Sequence, residues 1–155
     1  MLNTKYNDLK DILPHKPPMI LIDRVLEYDL EARSLAAEFD VTEKSLFFDS
    51  SIGGAPSWVG MEYMAQALGA FSGIYIAEND GGKPEIAFLL GSRDYQMFVD
   101  IFELNKTYTV YILENFADAT LGSYHCLIKN GDFMCAKADI TAYKPKDPFK
   151  IINNG

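Results

Sequence analysis

Histidine and cysteine are scarce in this chain, two of each in 155 residues, and neither is spaced as a metal-binding set would be. A zinc knuckle or a cysteine-framed scaffold is excluded, and no metal or other cofactor is expected. Basic charge is also short, with 14 Lys and Arg against 22 Asp and Glu, a net charge of -8 and a pI near 4.7. Such a surface lacks the field that would attract nucleic acid or an anionic membrane. No apolar stretch approaches the roughly 20 residues of a spanning helix. Met1 to Lys10 lack the basic start and apolar run of a signal peptide. A cytoplasmic protein with no nucleic-acid or membrane partner is the expectation. What the chain holds in quantity is apolar: 48% hydrophobic residues, with Phe and Tyr outnumbering Trp nineteen to one. A domain of this length buries roughly 70% of the surface its unfolded chain exposes. That is core enough to fold without staples.

Patterning predicts an α+β domain over residues 1–143, followed by a Pro-containing tail over 144–155. Tyr6 to Ile12 could form a short helix, capped by Asn7 or Asp8 and stopped by Pro14. Met19 to Tyr28 and Ser34 to Val41 read as a strand pair, and residues 42–57, with Asp49, Ser50, Ser51, Gly53, Gly54 and Pro56, as an ordered loop. From Trp58 to Ala77 apolar side chains cover nearly the whole helical circumference over roughly 30 Å, so the helix must be buried on most sides. Glu85 to Val99, Lys106 to Phe116 and Ala119 to Tyr143 alternate or run apolar, the last folded about Asn130-Gly131. The simplest solution is a curved antiparallel sheet of five to six strands wrapped around one long helix.

Glu62 is the only acid among the helix's apolar positions. If buried there, its carboxyl would titrate nearer neutrality and serve as general acid or base. As a first-turn acid it also complements the helix dipole, and the two roles are compatible. Gln66, four residues on, can hydrogen-bond it. Gly53, Gly54 and the amides of Ser57, Trp58 and Val59 could receive a developing oxyanion, although Ser57 acting simply as a cap explains the same residues. His15 lies between Pro14 and Pro17-Pro18 on stiff backbone and is the best-placed general base, against the common case of an idle loop histidine. His125 reads as a core histidine opposite Ala136, unless a bulge turns it outward. With a two-residue turn at Asn130-Gly131, Cys126 faces Cys135. A disulfide is sterically allowed there, and two reduced apolar thiols are the preferred reading.

The runs from Leu13 to Val25 (LPHKPPMILIDRV) and from Gly60 to Ala67 (GMEYMAQA) resemble the 3-hydroxyacyl-acyl carrier protein dehydratases of fatty-acid synthesis. The longer run from Gly54 to Ala67, with Phe88 to Arg93, is most similar to dehydratases of aryl polyene and related pigment pathways. The resemblance implies a hotdog fold and a homodimer with active sites at the interface, acting on a thioester of acyl carrier protein or coenzyme A. A second dehydratase as partner is a further expectation. Glu62 matches the family's helix acid, and Ser57 stands where the family has a glycine whose amide polarises the thioester carbonyl. The family's catalytic histidine belongs to a loop that falls here around Phe48 to Pro56, where there is none. Dehydration therefore needs His15 as the replacement base. A thioesterase, or an acyl-binding partner subunit without catalysis, is the alternative.

Overall fold

The computed structural model describes Leu9, Ile12, Leu13 and residues 20–79, 88–118 and 121–143, with no side chains for 88–93. Most of the short helix expected over 6–12, His15 and its proline neighbours, and the tail over 144–155 lie outside the described residues.

Eight strands and one long helix make up the described chain: β1 (Arg24–Asp29), β2 (Ser34–Asp40), β3 (Gly54–Pro56), α1 (Gly60–Asn79), β4 (Phe88–Met97), β5 (Ile101–Glu103), β6 (Thr107–Ala117), β7 (Leu121–Asn130) and β8 (Phe133–Tyr143). Six of them form one antiparallel sheet in the order β1-β2-β6-β7-β8-β4, while β3 and β5 make a separate pair. The α+β, helix-in-sheet architecture expected from patterning is the one observed.

Strand alternation decides which side chains meet the helix. Leu35, Ala37 and Phe39 of β2, Val110 and Ile112 of β6, Tyr124, Cys126 and Ile128 of β7, and Ala138, Ile140 and Ala142 of β8 are buried. They close on Met64, Ala67, Leu68, Phe71 and Ile74 of α1. At one end of this core the Phe39 ring stacks on Tyr63, centroids 3.8 Å apart, with Tyr108 5.4 Å away on a near-parallel plane. Stacked aromatic pairs add stabilisation beyond their burial. Burial of α1 is not uniform: Met61, Glu62, Ala65 and Gly69 are less covered than their neighbours and share one stripe of the helix.

Three differences from the sequence reading have local causes. The strand expected from Met19 begins only at Arg24, because the amides of Leu21 and Ile22 leave the sheet for the side-chain carbonyl of Gln66. β3 lies within the loop expected over 42–57, and β5 lies between two expected strands, in residues that were given no element. Gly54 permits their pairing, since a Cβ there would collide with the Phe102 carbonyl.

The third difference is the β7–β8 hairpin, which turns at Gly131-Asp132, pairing Asn130 with Phe133. Gly131 supplies the positive φ of 58° that the first loop position takes without strain. A register shift follows beyond Lys129–Met134, so that Ile128 pairs with Ala136 and Cys135 is the extra residue. The displaced turn preserves facing, whereas the single bulged residue inverts it. Cys126 therefore lies opposite Ala138 rather than Cys135, and both cysteines are free, buried thiols. His125 is turned out of the core to face Asp139, with Nδ1 2.9 Å from Oδ1.

Candidate active site

The helix begins through a 3-10 turn, Ser57–Val59, which joins β3 directly to α1. Ser57 does not cap it; the Ser57 hydroxyl instead points to the Met97 sulfur at 3.2 Å. Nor is the Ser57 amide available as an oxyanion donor, because it donates to the Asp100 carbonyl at 3.1 Å. The Gly54 amide is likewise turned inward, toward the Asp49 carbonyl at 3.4 Å. Of the three amides expected to serve, that of Val59 is held within the 3-10 turn, which leaves that of Trp58 as the candidate. The Gly54 and Ser57 corrections have separate causes: the turn at Asp49 takes the Gly54 amide, while the β3–β5 pairing carries Ser57 onto the Asp100 carbonyl.

Glu62 sits in the first turn of α1 but is exposed, which corrects the expectation of a buried carboxyl. Helical spacing puts it on the less-covered stripe with Ala65 and Gly69, one turn beyond Trp58, itself 65% exposed. Gln66 is buried and turned away from Glu62; its Oε1 accepts the Leu21 and Ile22 amides, the latter at 3.0 Å. Its role is to tie the chain that follows the Pro-His segment to the helix.

That tie shapes a cleft of about 300 Å3 between the start of β1 and the loop after β2, lined among others by Leu21, Asp23, Lys44, Leu46 and Tyr63. Burial raises the carboxyl of Asp23 above its ordinary range, against the Asp40 amide that bonds it. Burial, then the Asp23 charge, pushes the Tyr63 phenol up to about 12. Glu62 follows a different direction from Tyr63, into solvent rather than into this cleft. His15 precedes the cleft in the chain and lies outside the described residues.

The loop where a catalytic histidine would fall holds its one carboxylate in its own turn. Phe48 packs against the core, and the Asp49 carbonyl and carboxylate bind the amides of Ile52, Gly53 and Ser51 in a tight turn. Asp23-Arg24 proves structural, because Arg24 reaches from β1 to Glu38 at 2.7 Å and to Asp40 at 2.8 and 3.0 Å. Among the described residues no group of three or more His, Cys, Asp or Glu could hold a metal ion. None of the helices described is long and apolar enough to cross a membrane.

Tyr95, on β4, meets the head of the helix. Its hydroxyl donates to the Ser57 carbonyl at 2.5 Å and lies against Gly60, where a Cβ would collide with it. A signal for this existed in Gly60, an unexplained glycine at the head of an apolar helix.

Comparison with known proteins bears on the chemistry. A family model for ApeP-like proteins, described as ApeP dehydratase, matches residues 7–153. The 3-hydroxyacyl-[acyl-carrier-protein] dehydratase FabZ of Chlamydia pneumoniae is 43% identical over 90 residues, 56% of this chain and 58% of that protein. FabZ of Chlamydia trachomatis serovar L2 is 44% identical over 87 residues, 54% and 56% of the two chains. The match thus spans a little over half the length of these curated relatives. Among solved structures, the dehydratase heterocomplex ApeI:P from Xenorhabdus doucetiae aligns with a TM-score of 0.87 at 24% identity, covering 96% of this chain and 97% of that one. A mutant thioesterase from Pseudomonas aeruginosa aligns at 0.57 and 13% identity, over 77% and 78%. Both likenesses establish the hotdog fold.

Proposed function

Because the chain belongs to the ApeP-like dehydratase family, we propose that it removes water from a 3-hydroxyacyl thioester to give the trans-2-enoyl thioester. The observation that carries this reading is Glu62, an acid exposed in the first turn of a helix that is otherwise largely buried. An acyl chain on acyl carrier protein is the preferred substrate, and the coenzyme A thioester is the alternative.

In the proposed reaction the thioester carbonyl lies against the helix start, and the Trp58 amide takes the donor role that Ser57 cannot fill. Charge developing on that oxygen is stabilised as the α proton leaves. His15 takes the proton, and Glu62 protonates the 3-hydroxyl, which departs as water. The opposite division of acid and base between these two groups gives the same products.

The site is completed by a second copy of the chain. Strand β4 is an edge of the six-stranded sheet, and the nearby Trp58, Met97 and Phe98 are 65%, 48% and 48% exposed. An apolar cluster beside an open strand edge favours sheet-to-sheet pairing. Such a homodimer would cover Glu62 and bring the partner's Pro-His segment toward it. The ApeI:P structure is a heterocomplex of dehydratases, which supports a second dehydratase as a further partner.

The test is incubation with a 3-hydroxyacyl carrier-protein substrate, followed by mass spectrometry for loss of one water. His15→Ala and Glu62→Gln are each expected to lower turnover by about 10²-fold or more. Undiminished turnover in both variants would overturn the assignment. Two rival readings have their own observations. The shared fold of the thioesterase predicts release of free thiol. Phe48 in the loop where the base would fall predicts an acyl-binding subunit that is inactive without a catalytic partner.

A further inference from the structure

Strand β4 breaks its pairing with β8 between Arg93 and Gln96, and Asp94 within the break has a positive φ of 57°. A non-glycine residue in that region is uncommon and marks a backbone held by its surroundings. The break delivers Tyr95 onto the core cluster at the head of α1. There its hydroxyl meets the hydrogen bond that closes the turn. The Gly60 amide closes the 3-10 turn on the Ser57 carbonyl, and the Tyr95 O–H donates to the same carbonyl at 2.5 Å.

Two further contacts come from the same stretch of chain. The Asp100 carbonyl accepts the Ser57 amide at 3.1 Å, and the Met97 sulfur accepts the Ser57 hydroxyl at 3.2 Å. Position 60 is shaped to receive the clamp, since a Cβ on Gly60 would collide with the Tyr95 hydroxyl. A helix terminus ordinarily frays. This one is gripped from the side, two residues before Glu62.

We infer that Tyr95 is a positioning residue of the proposed dehydration: its hydroxyl holds the Ser57–Gly60 turn so that Glu62 and the adjoining amides keep their places against the thioester. The inference rests on the dehydratase reading for its substrate, though the clamp itself does not. Catalytic groups must be held within about 0.5 Å, and a 1 Å misplacement costs on the order of 10²-fold in rate. An interaction that matters in the transition state lowers kcat and kcat/KM together when removed, while KM stays put.

The test compares the full-length protein with Tyr95→Phe, which keeps the ring, and with Gly60→Ala, which displaces the hydroxyl without removing it. Both variants are expected to lower kcat about tenfold or more with KM within twofold, and their combination to cost less than the product of the two losses. The second readout is the infrared carbonyl stretch of a bound, saturated acyl-pantetheine thioester, which lacks the 3-hydroxyl and so cannot be dehydrated. Wild type should lower that frequency, and Tyr95→Phe at equal occupancy should return it toward the free value. A purely structural role would alter thermal stability and leave both readouts unchanged. Tyr95→Phe with wild-type kcat and carbonyl frequency, or no frequency shift in wild type, overturns the inference. A carbonyl shift in wild type without enoyl product dismisses dehydration and keeps the clamp. Enoyl product at full kcat from Tyr95→Phe does the reverse.

Discussion

Individual side chains here are set more by their neighbours than by their own chemistry. Burial pushes the Cys126 thiol up to about 12, and Cys135 is also raised by burial. The thiolate is the reactive form and is nearly absent at pH 8 for such a group. Neither cysteine should react with iodoacetamide at pH 8 in the folded protein, whereas both should label in denaturant; mass spectrometry of the two samples decides it. The same dependence on neighbours explains why Glu62 was legible as a helix acid but not as an exposed one. Its sequence position identifies the turn, while its exposure depends on which stripe of α1 the sheet leaves uncovered. Ser57 shows the limit more sharply: nothing near it in the chain announces that the Asp100 carbonyl will take its amide.

Elements were legible where one periodicity ran unbroken. Helix α1 was expected from Trp58 to Ala77 and spans Gly60–Asn79, because its apolar coverage extends over five turns. β2, β6 and the two arms of β7–β8 were likewise found from alternation. The three-residue strands β3 and β5 were not, because segments so short carry no period and pair only through the Gly54 approach to Phe102. Helix α1 also contains a position where propensity and packing disagree. Gly73 is in its interior, where alanine would ordinarily favour the helix by about 1 kcal/mol. A Cβ there would run into the backbone carbonyl of Ile12, which no side-chain rotation can relieve. Gly73→Ala is therefore expected to destabilise the protein by about 1–3 kcal/mol, read from denaturant midpoints; a raised midpoint would show that packing does not win.

At the scale of the whole molecule, the proposed homodimer uses the open edge of β4 and its exposed apolar neighbours. Phe98→Asp together with Trp58→Lys should convert a dimer to monomers in analytical ultracentrifugation, with dehydration lost in parallel if the site spans two copies. An unchanged sedimentation coefficient would place the interface elsewhere. The single extra residue at Cys135 reaches just as far, because β4 pairs with β8 beyond it, from Tyr143 down to Ala136. A strand has only two facings, so lengths along it count by parity, and Cys135 is a stored odd number. Removing it by deletion would leave composition and hydrophobicity almost untouched, yet oblige β8 to choose between its bonds to the turn and its inward Ala138, Ile140 and Ala142. Sheets of this kind can therefore accept losses in pairs far more readily than singly, and drift in this hairpin should proceed by even steps around a bulge that stays.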